Sequence, residues 1–567
     1  MLFKTLVTDF IGQHIWEFVL YICLIILFYP IESIIIPKVY GIMFDQIKNI
    51  SKFTDIYNWR ENFAKMNFQG SLIILILLWC VTLITEIIKS NADAHLVPTY
   101  FSYLKQIVFE KTMHSYQSNY SDMKTGDYLS RVVELTRNIK DLFHTMLSSF
   151  LPELLVATMI VVYMFLQHKH LGYIILTGIG LCGIIHYFTS HILLKLVADR
   201  EEYINKVVSE NIRDSLDNMM NVFLNNEVDS EINKNGELEI ESERKFQHIM
   251  YVQSIIVFLV DMIILSTFAV AIIFLYYLIS KKSVKVSHGI VLVIILGQFL
   301  SNFLYVNNKY IRDVLYRLGI ILSSKEYLNN IFTTDDKRVL KSGITDGEIT
   351  FKNVSFRYDK TKDSFIYENL NIVFESGKHY ALVGQSGGGK TTLMKLIVGL
   401  YSPESGTIYI DNVDITHLDL TYLRNNVNYI NQRTNLFNES IMYNILYGNP
   451  HATEDMVYEI LDKYDLNKVF DALPDGLQSV AGVNGGNLSG GMQRITMLVR
   501  GIIKPCKILI MDEPTTGLDT ITARNVKNLI MSESIGKTMI LITHSEMMLS
   551  RMSIKKYDVS KIDSISV

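Results

Sequence analysis

The 567-residue chain has only four cysteines, Cys23, Cys80, Cys182 and Cys506, and they stand far apart. That spacing excludes a disulfide framework and a zinc pattern. Three of them lie in apolar runs, so buried filler is the expectation. An excess of charge is also lacking: the net charge is −4, which excludes a general affinity for nucleic acid. There are no internal repeats and no low-complexity segments, which excludes a solenoid or a disordered scaffold. The opening Met1-Leu2-Phe3-Lys4-Thr5 has neither a signal-peptide n-region nor an Arg-rich amphipathic pattern, so no cleaved targeting segment is expected.

Apolar sequence is what the chain has in abundance. Hydrophobic residues make up 49% of it and the mean hydropathy is +0.22, values that suit a partly membrane-embedded protein. Its length exceeds what one core serves, so two or three domains are expected. Six apolar stretches fall near 15–40, 70–92, 148–167, 171–194, 254–280 and 287–308. Each is close to the ~20 residues that span a bilayer as a helix.

An even number of spans returns the chain to its starting side, taken as the cytosol. The second and third spans are over fifty residues apart, as are the fourth and fifth, so both long connectors face that side. Tyr103–Glu110 and Leu129–Glu134 have helical periodicity. Each connector therefore reads as two helical extensions joined by a short crossing segment. One loop conflicts with this: Lys281-Lys282-Ser283-Val284-Lys285 is basic although parity places it outside.

From about residue 320 the apolar runs shorten and Gly, Asp and Asn punctuate them. The expected division is a membrane domain over 1–320, a linker over 321–346 and an α/β domain over 347–567. The fold class is thus an all-α six-helix transmembrane domain followed by an α/β P-loop NTPase domain.

The second assignment rests on Gly384, Gln385, Ser386, Gly387, Gly388, Gly389, Lys390 and Thr391, a complete G-x-x-x-x-G-K-T loop. It follows the strand-like Tyr380-Ala381-Leu382-Val383 and leads into the helical run from Thr392, the context the motif requires. Glycines let successive backbone N–H groups converge on phosphate oxygens, and the helix N-terminus adds partial positive charge. Lys390 then reaches the β- and γ-phosphates, and the Thr391 hydroxyl sits on Mg²⁺. ATP and Mg²⁺ are the expected cofactors. Downstream, Ile508-Leu509-Ile510-Met511 runs into Asp512 and Glu513. In such folds the first acid holds Mg²⁺, and a second acid beside it orients or deprotonates water.

With these residues in place the chain resembles the ATP-binding cassette exporters in which a six-helix membrane domain precedes the cassette. Leu488-Ser489-Gly490-Gly491 matches the family's signature loop. Gln432 falls at its Q-loop, Thr515-Thr516-Gly517-Leu518-Asp519 at its D-loop and His544 at its switch histidine. Tyr358 takes the aromatic position that stacks on adenine. Lys124-Thr125-Gly126-Asp127-Tyr128-Leu129-Ser130-Arg131 looks like the family's T-G-D-x-x-S-R segment.

The resemblance implies a role for each. Glu513 is the general base, and His544 helps to hold the γ-phosphate and water. Gln432 completes the Mg²⁺ shell, with Thr391 and Asp512. Two cassettes pair head to tail, so that Ser489, Gly490 and Gly491 complete the phosphate cage on the partner's nucleotide, and Asp519 belongs to the same set. Two positions depart from the family: Met492 stands where Gln is usual, and Val483 where Glu is common.

One membrane domain with one cassette implies a half-transporter that needs a second chain. A homodimer is the first expectation and a heterodimer the alternative. The stretch 436–448 and Asn302-Phe303-Leu304 with Lys309 and Arg312 look like the mitochondrial and heavy-metal-tolerance branch, whose members export glutathione- or metal-linked compounds. A lipid or drug flippase, or an ATP-gated channel or regulator, are the other readings. In the sixth span Gln298, Asn302, Tyr305, Lys309 and Arg312 recur at helical spacing. Polar groups facing lipid are costly, so this face is expected to line a cavity for a small anionic or zwitterionic solute, or else to bond neighbouring helices.

Overall fold

A computed structural model describes residues 2–50, 68–118, 125–324, 328–329, 332, 339–358, 364–384, 387–432, 435–550 and 554–558. The chain divides into two compact units: Met1–Thr112 with Met123–Thr333, and Met113–Asp122 with Thr334–Val567.

Among the described residues six helices are long and apolar enough to cross a membrane: Ile15–Gln46, Gln69–Gln117, Val132–Gln167, Lys169–Asp217, Val228–Ser280 and Val286–Ser323. They run well beyond the expected apolar stretches because the connectors continue as helix. In the second connector the crossing piece is the short helix Met219–Leu224, between Ser209–Asp217 and Val228–Ser280. In the first connector, residues 119–124 and the side chains of the T-G-D-x-x-S-R segment lie outside the described residues.

One core of the first unit gathers Phe10, Phe18, Tyr21, Tyr100 and Phe143. A second packs Ile160, Ile175, Leu275, Leu292 and Ile295. The outward faces of the spans are also apolar, as hydrocarbon surroundings require. That corrects the cysteine expectation. Cys182 is buried, but Cys23 and Cys80 are exposed on these outer faces, because an apolar run in a membrane helix need not point into protein.

Four π turns interrupt the spans, at Ile31–Ile35, Met146–Phe150, Ile204–Val208 and Val306–Ile311. Prolines follow two of them, Pro37 and Pro152. A proline ring removes one N–H and crowds the carbonyl four residues back, which a wider turn relieves.

The second unit contains nine strands among the described residues. An antiparallel sheet is formed by β1 (Ile349–Phe356), β2 (Tyr367–Phe374), β4 (Ser405–Ile410) and β5 (Val413–Asp414), in the order β2-β1-β4-β5. A parallel sheet is formed by β3 (His379–Val383), β6 (Val427–Ile430), β7 (Ile508–Asp512), β8 (Thr538–Ile542) and β9 (Lys555–Asp558). Its order is β6-β7-β8-β3-β9. Every residue of β7 and β8 is buried, as expected for strands covered on both faces. Because all five strands run the same way, whatever follows β6, β7, β8 and β3 emerges along one edge of the sheet.

Candidate nucleotide site

Four loops leave that edge, and the residues they carry meet in one cleft of 340 Å³. β3 leads to Gly387–Thr392, β6 to Gln432, β7 ends in Asp512 and Glu513, and β8 leads to His544; Tyr358 closes one side. Gln385 and Ser386 lie outside the described residues.

The phosphate loop needs its glycines. Gly384, Gly387 and Gly389 have φ of +139°, +83° and +85°, values that side chains rarely tolerate. A Cβ on Gly389 would also come within 2.7 Å of the Tyr367 hydroxyl. Gly389 caps the helix Lys390–Ile397, so the N–H groups of its first turn open toward the cleft. The Lys390 side chain is buried and its Nζ donates to the Gly384 carbonyl at 2.8 Å.

The Thr391 hydroxyl donates to Asp512 Oδ2 at 2.9 Å, across 121 residues of sequence. Asp512 is 4% exposed. Burial pushes its carboxyl above the usual range, the Thr391 bond opposes this, and neighbouring Glu513 adds to it. A cation beside this oxygen pair is the natural way to offset that cost. The donor set of hydroxyl, carboxylate and Gln432 amide therefore fits a hard cation such as Mg²⁺ completed by phosphate oxygens.

Glu513 adopts φ of +49°, a strained value for a residue with a side chain. Its N–H donates to the Ile542 carbonyl at 2.8 Å, which holds the strain in place. The Thr516 hydroxyl donates to one carboxylate oxygen at 2.5 Å, and His544 Nε2 lies 3.9 Å from the other. Tyr358 and Thr392 share a hydroxyl–hydroxyl bond of 2.8 Å. The Tyr358 ring packs edge-on to Phe356 and Tyr401.

The remaining predicted residues lie elsewhere on the unit. Ser489 caps the helix Gly490–Ile502, accepting from the Met492 amide at 3.3 Å, and both Ser489 and Gly490 are exposed. Asp519 caps Thr520–Glu533 by accepting from Ile521 and Thr522. Neither cap reaches this cleft. Of the two departures from the family, Val483 is 72% exposed, whereas the Met492 side chain is buried in a core with Ile495, Leu498 and Leu509.

Sequence reasoning passed over Arg494. This residue is buried, and its guanidinium donates to the carbonyls of Gln432 at 2.9 Å and Glu513 at 2.7 Å. Burial lowers its pKa, while Asp512 and Glu513 oppose the shift. A cation set between Met492, Ile495 and Leu498 on the buried face of the helix was the signal available.

In the membrane unit the sixth-span residues are divided. A π turn over Val306–Ile311 breaks the regular spacing between Tyr305 and Arg312. Gln298 and Asn302 are half-buried, while Tyr305, Lys309 and Arg312 are exposed. Lys309 Nζ donates to the Tyr305 hydroxyl at 2.8 Å. Unanticipated from sequence, Asn307 joins His186 (2.9 Å) to Asp261 (2.8 Å), and Asn308 also bonds that aspartate at 3.1 Å.

Fold and cleft together define a class: a P-loop nucleotide-binding unit on one chain with a six-span membrane unit. Residues 18–303 match the family described as ABC transporter transmembrane region, and residues 367–516 match the family described as ABC transporter. The chain belongs to the ABC transporter family.

It is 37% identical over 201 residues to the heavy metal tolerance protein of Schizosaccharomyces pombe, covering 35% of this chain and 24% of that one. With the mitochondrial potassium channel ATP-binding subunit of Rattus norvegicus it shares 38% over 199 residues, 35% of this chain and 28% of that one. The chain thus spans about a quarter of the length of these relatives. A solved structure of a bacterial Atm1-family ABC exporter with ATP bound shares the fold, with a TM-score of 0.79. The two are 20% identical, over 96% of this chain and 93% of the other.

Proposed function

We propose that this chain is one half of an ATP-driven solute exporter, working as a dimer and most simply as a homodimer. The observation that carries this reading is the Thr391–Asp512 bond with Glu513 beside it. A cation-holding pair thereby adjoins a second acid in the cleft of the phosphate loop. Lys390 and the loop N–H groups would hold the phosphates, Tyr358 the adenine, and Thr391, Asp512 and Gln432 the Mg²⁺, which supplies charge neutralisation. Glu513, positioned by Thr516, would take the proton from water, with His544 holding that water. The exposed Ser489 and Gly490 at a helix N-terminus suit contact with a second cassette's nucleotide. The orientation that fits places the nucleotide-binding unit in the cytosol.

For cargo, the finer reading is a glutathione- or metal-linked compound, supported by the likeness to a heavy metal tolerance protein. The similar identity to a potassium channel subunit keeps a channel or regulator as the competing class, and a lipid or drug flippase has the same architecture.

The test uses the purified full-length chain in nanodiscs. Mg²⁺-dependent ATP hydrolysis should appear and should vanish in Lys390→Ala. Oxidised glutathione, its metal complexes, lipids and amphipathic drugs are then compared as stimulants. Hydrolysis that survives Lys390→Ala would overturn the assignment of the cleft.

A further inference from the structure

The membrane unit holds a polar cavity of 430 Å³, within the size range of small-molecule sites. Three of its π turns border it. Glu32 comes from the first, Ser148 and Ser149 from the second, and Tyr310 from the turn in the sixth span. A π turn shifts a helix by one residue and re-aims its side chains, and such turns recur at functional sites. The second span adds Glu86, Lys89 and Asp93, and the third adds Glu153.

Four carboxylates and one ammonium therefore line the same cavity. Lys89 is itself engaged. Its Nζ donates to the Tyr29 hydroxyl at 2.8 Å, lies 5.5 Å from that ring's centre, and sits 3.7 Å from Glu86. Glu32 and Glu86 occupy an exposed rim. Deeper in, Asp93 Oδ1, Glu153 Oε2 and Ser148 Oγ are buried and make no hydrogen bond of regular geometry among the described residues, although the Tyr21 hydroxyl lies beside Asp93 and Ser148. Ser148 as a whole is only 8% exposed. Unpaired polar atoms are costly in a membrane interior; the Asp93 and Glu153 oxygens accept only, whereas the Ser148 hydroxyl both donates and accepts, so the two carboxylates are what call for a further donor.

We propose that this cavity binds the ammonium group of the transported solute. Carboxylates supply counter-charge and acceptors. The aromatic rings of Phe28, Tyr29 and Tyr310 in the lining supply faces that attract an organic cation. Lys89 on Tyr29 shows the same recognition made within the chain. A bare metal ion is not the fit: among the described residues no three Asp, Glu, His or Cys side chains are placed to share one. The ligand's role as cargo rests on the exporter reading, but its binding does not.

The test is equilibrium binding to the full-length chain in phosphatidylcholine nanodiscs, with spermine, oxidised glutathione and N-acetylated oxidised glutathione as probes. At least one of the first two should bind saturably. Spermine alone points to a cationic cargo, and oxidised glutathione alone to a zwitterion whose carboxylates are held elsewhere. Combining Asp93→Asn with Glu153→Gln should weaken the bound probe at least tenfold. Where glutathione binds, acetylation should weaken it equally. Binding by neither amine, or binding indifferent to the double variant, overturns the proposal. Should that variant not fold, competition decides: spermine must be displaced by methylammonium and not by sodium at equal ionic strength. Basal ATP hydrolysis is read separately, and its absence would refute the exporter reading while leaving the binding result standing.

Discussion

Arg494 donates one hydrogen bond to the carbonyl of Glu513, 2.7 Å away, and another from the same guanidinium to the carbonyl of Gln432 at 2.9 Å. These carbonyls lie just beyond the ends of β7 and β6, neighbours in the parallel sheet. One side chain thus ties the cleft's second acid to its glutamine and helps hold Glu513 in its strained conformation.

A lysine carries its three donors on a single nitrogen and cannot reproduce the planar fork. Arg494→Lys should therefore misplace Glu513 while leaving the phosphate loop alone. Hydrogen bonds from charged groups contribute about 1.5–3 kcal/mol, so the expected loss in kcat is about tenfold or more. The KM for ATP should move less than about threefold. Steady-state ATPase measurements decide it, and an unchanged kcat would show that Arg494 serves packing alone.

Glu513→Gln should bind ATP and hydrolyse it at least about a hundredfold more slowly, the usual cost of losing a general base. Thr516→Ala removes the hydroxyl that donates to that carboxylate and should cost less, about three- to tenfold, roughly one hydrogen bond. Single-turnover hydrolysis checks the pair, and equal losses from both would argue against Glu513 as the base.

Restoring the family's usual residue at position 492 should harm the protein. The Met492 side chain is buried in an apolar core, and a Gln there would bury an amide at a cost of about 1–3 kcal/mol. Met492→Leu should cost under about 1.5 kcal/mol. Thermal unfolding in detergent compares the two; a Met492→Gln chain as stable as wild type would mean the amide finds partners.

Asp411, in the turn between β4 and β5, accepts backbone N–H bonds from Thr345, Asp346, Gly347 and Glu348 at 2.7–3.0 Å. Burial alone would raise its pKa, but these four amides outweigh it and hold the carboxyl below the usual range. For an acid so shifted, the stabilisation is full above the ordinary carboxylate pKa and is lost as pH falls through the depressed one. Asp411→Asn should lower stability by about 1–2 kcal/mol at neutral pH, and the gap should close under acid. A gap that persists to pH values below the carboxylate range would point to shape rather than charge. Residue 411 has φ of +47°, which Asn tolerates well, so the substitution tests the charge.

The nucleotide cleft was legible in the sequence because each part is local. A phosphate loop is one strand, one turn and one helix, and Asp512, Glu513 and His544 each follow an apolar run that reads as a buried strand. Parallel strands end on one edge, so naming those strands nearly places the residues. The six spans were legible for the same reason: hydropathy over a window reports immersion in hydrocarbon. Hydropathy says nothing of direction, however, and that is what tertiary structure decided. Cys23 and Cys80 faced outward, and Ser489 and Asp519 stood as helix caps away from the cleft. The π turn after Tyr305 broke a spacing that assumed unbroken α-helix. Glu32, Asp93 and Glu153 each read alone as a charge in or beside an apolar run. Only the packing of helices, with registers shifted by one residue, brings them around one cavity.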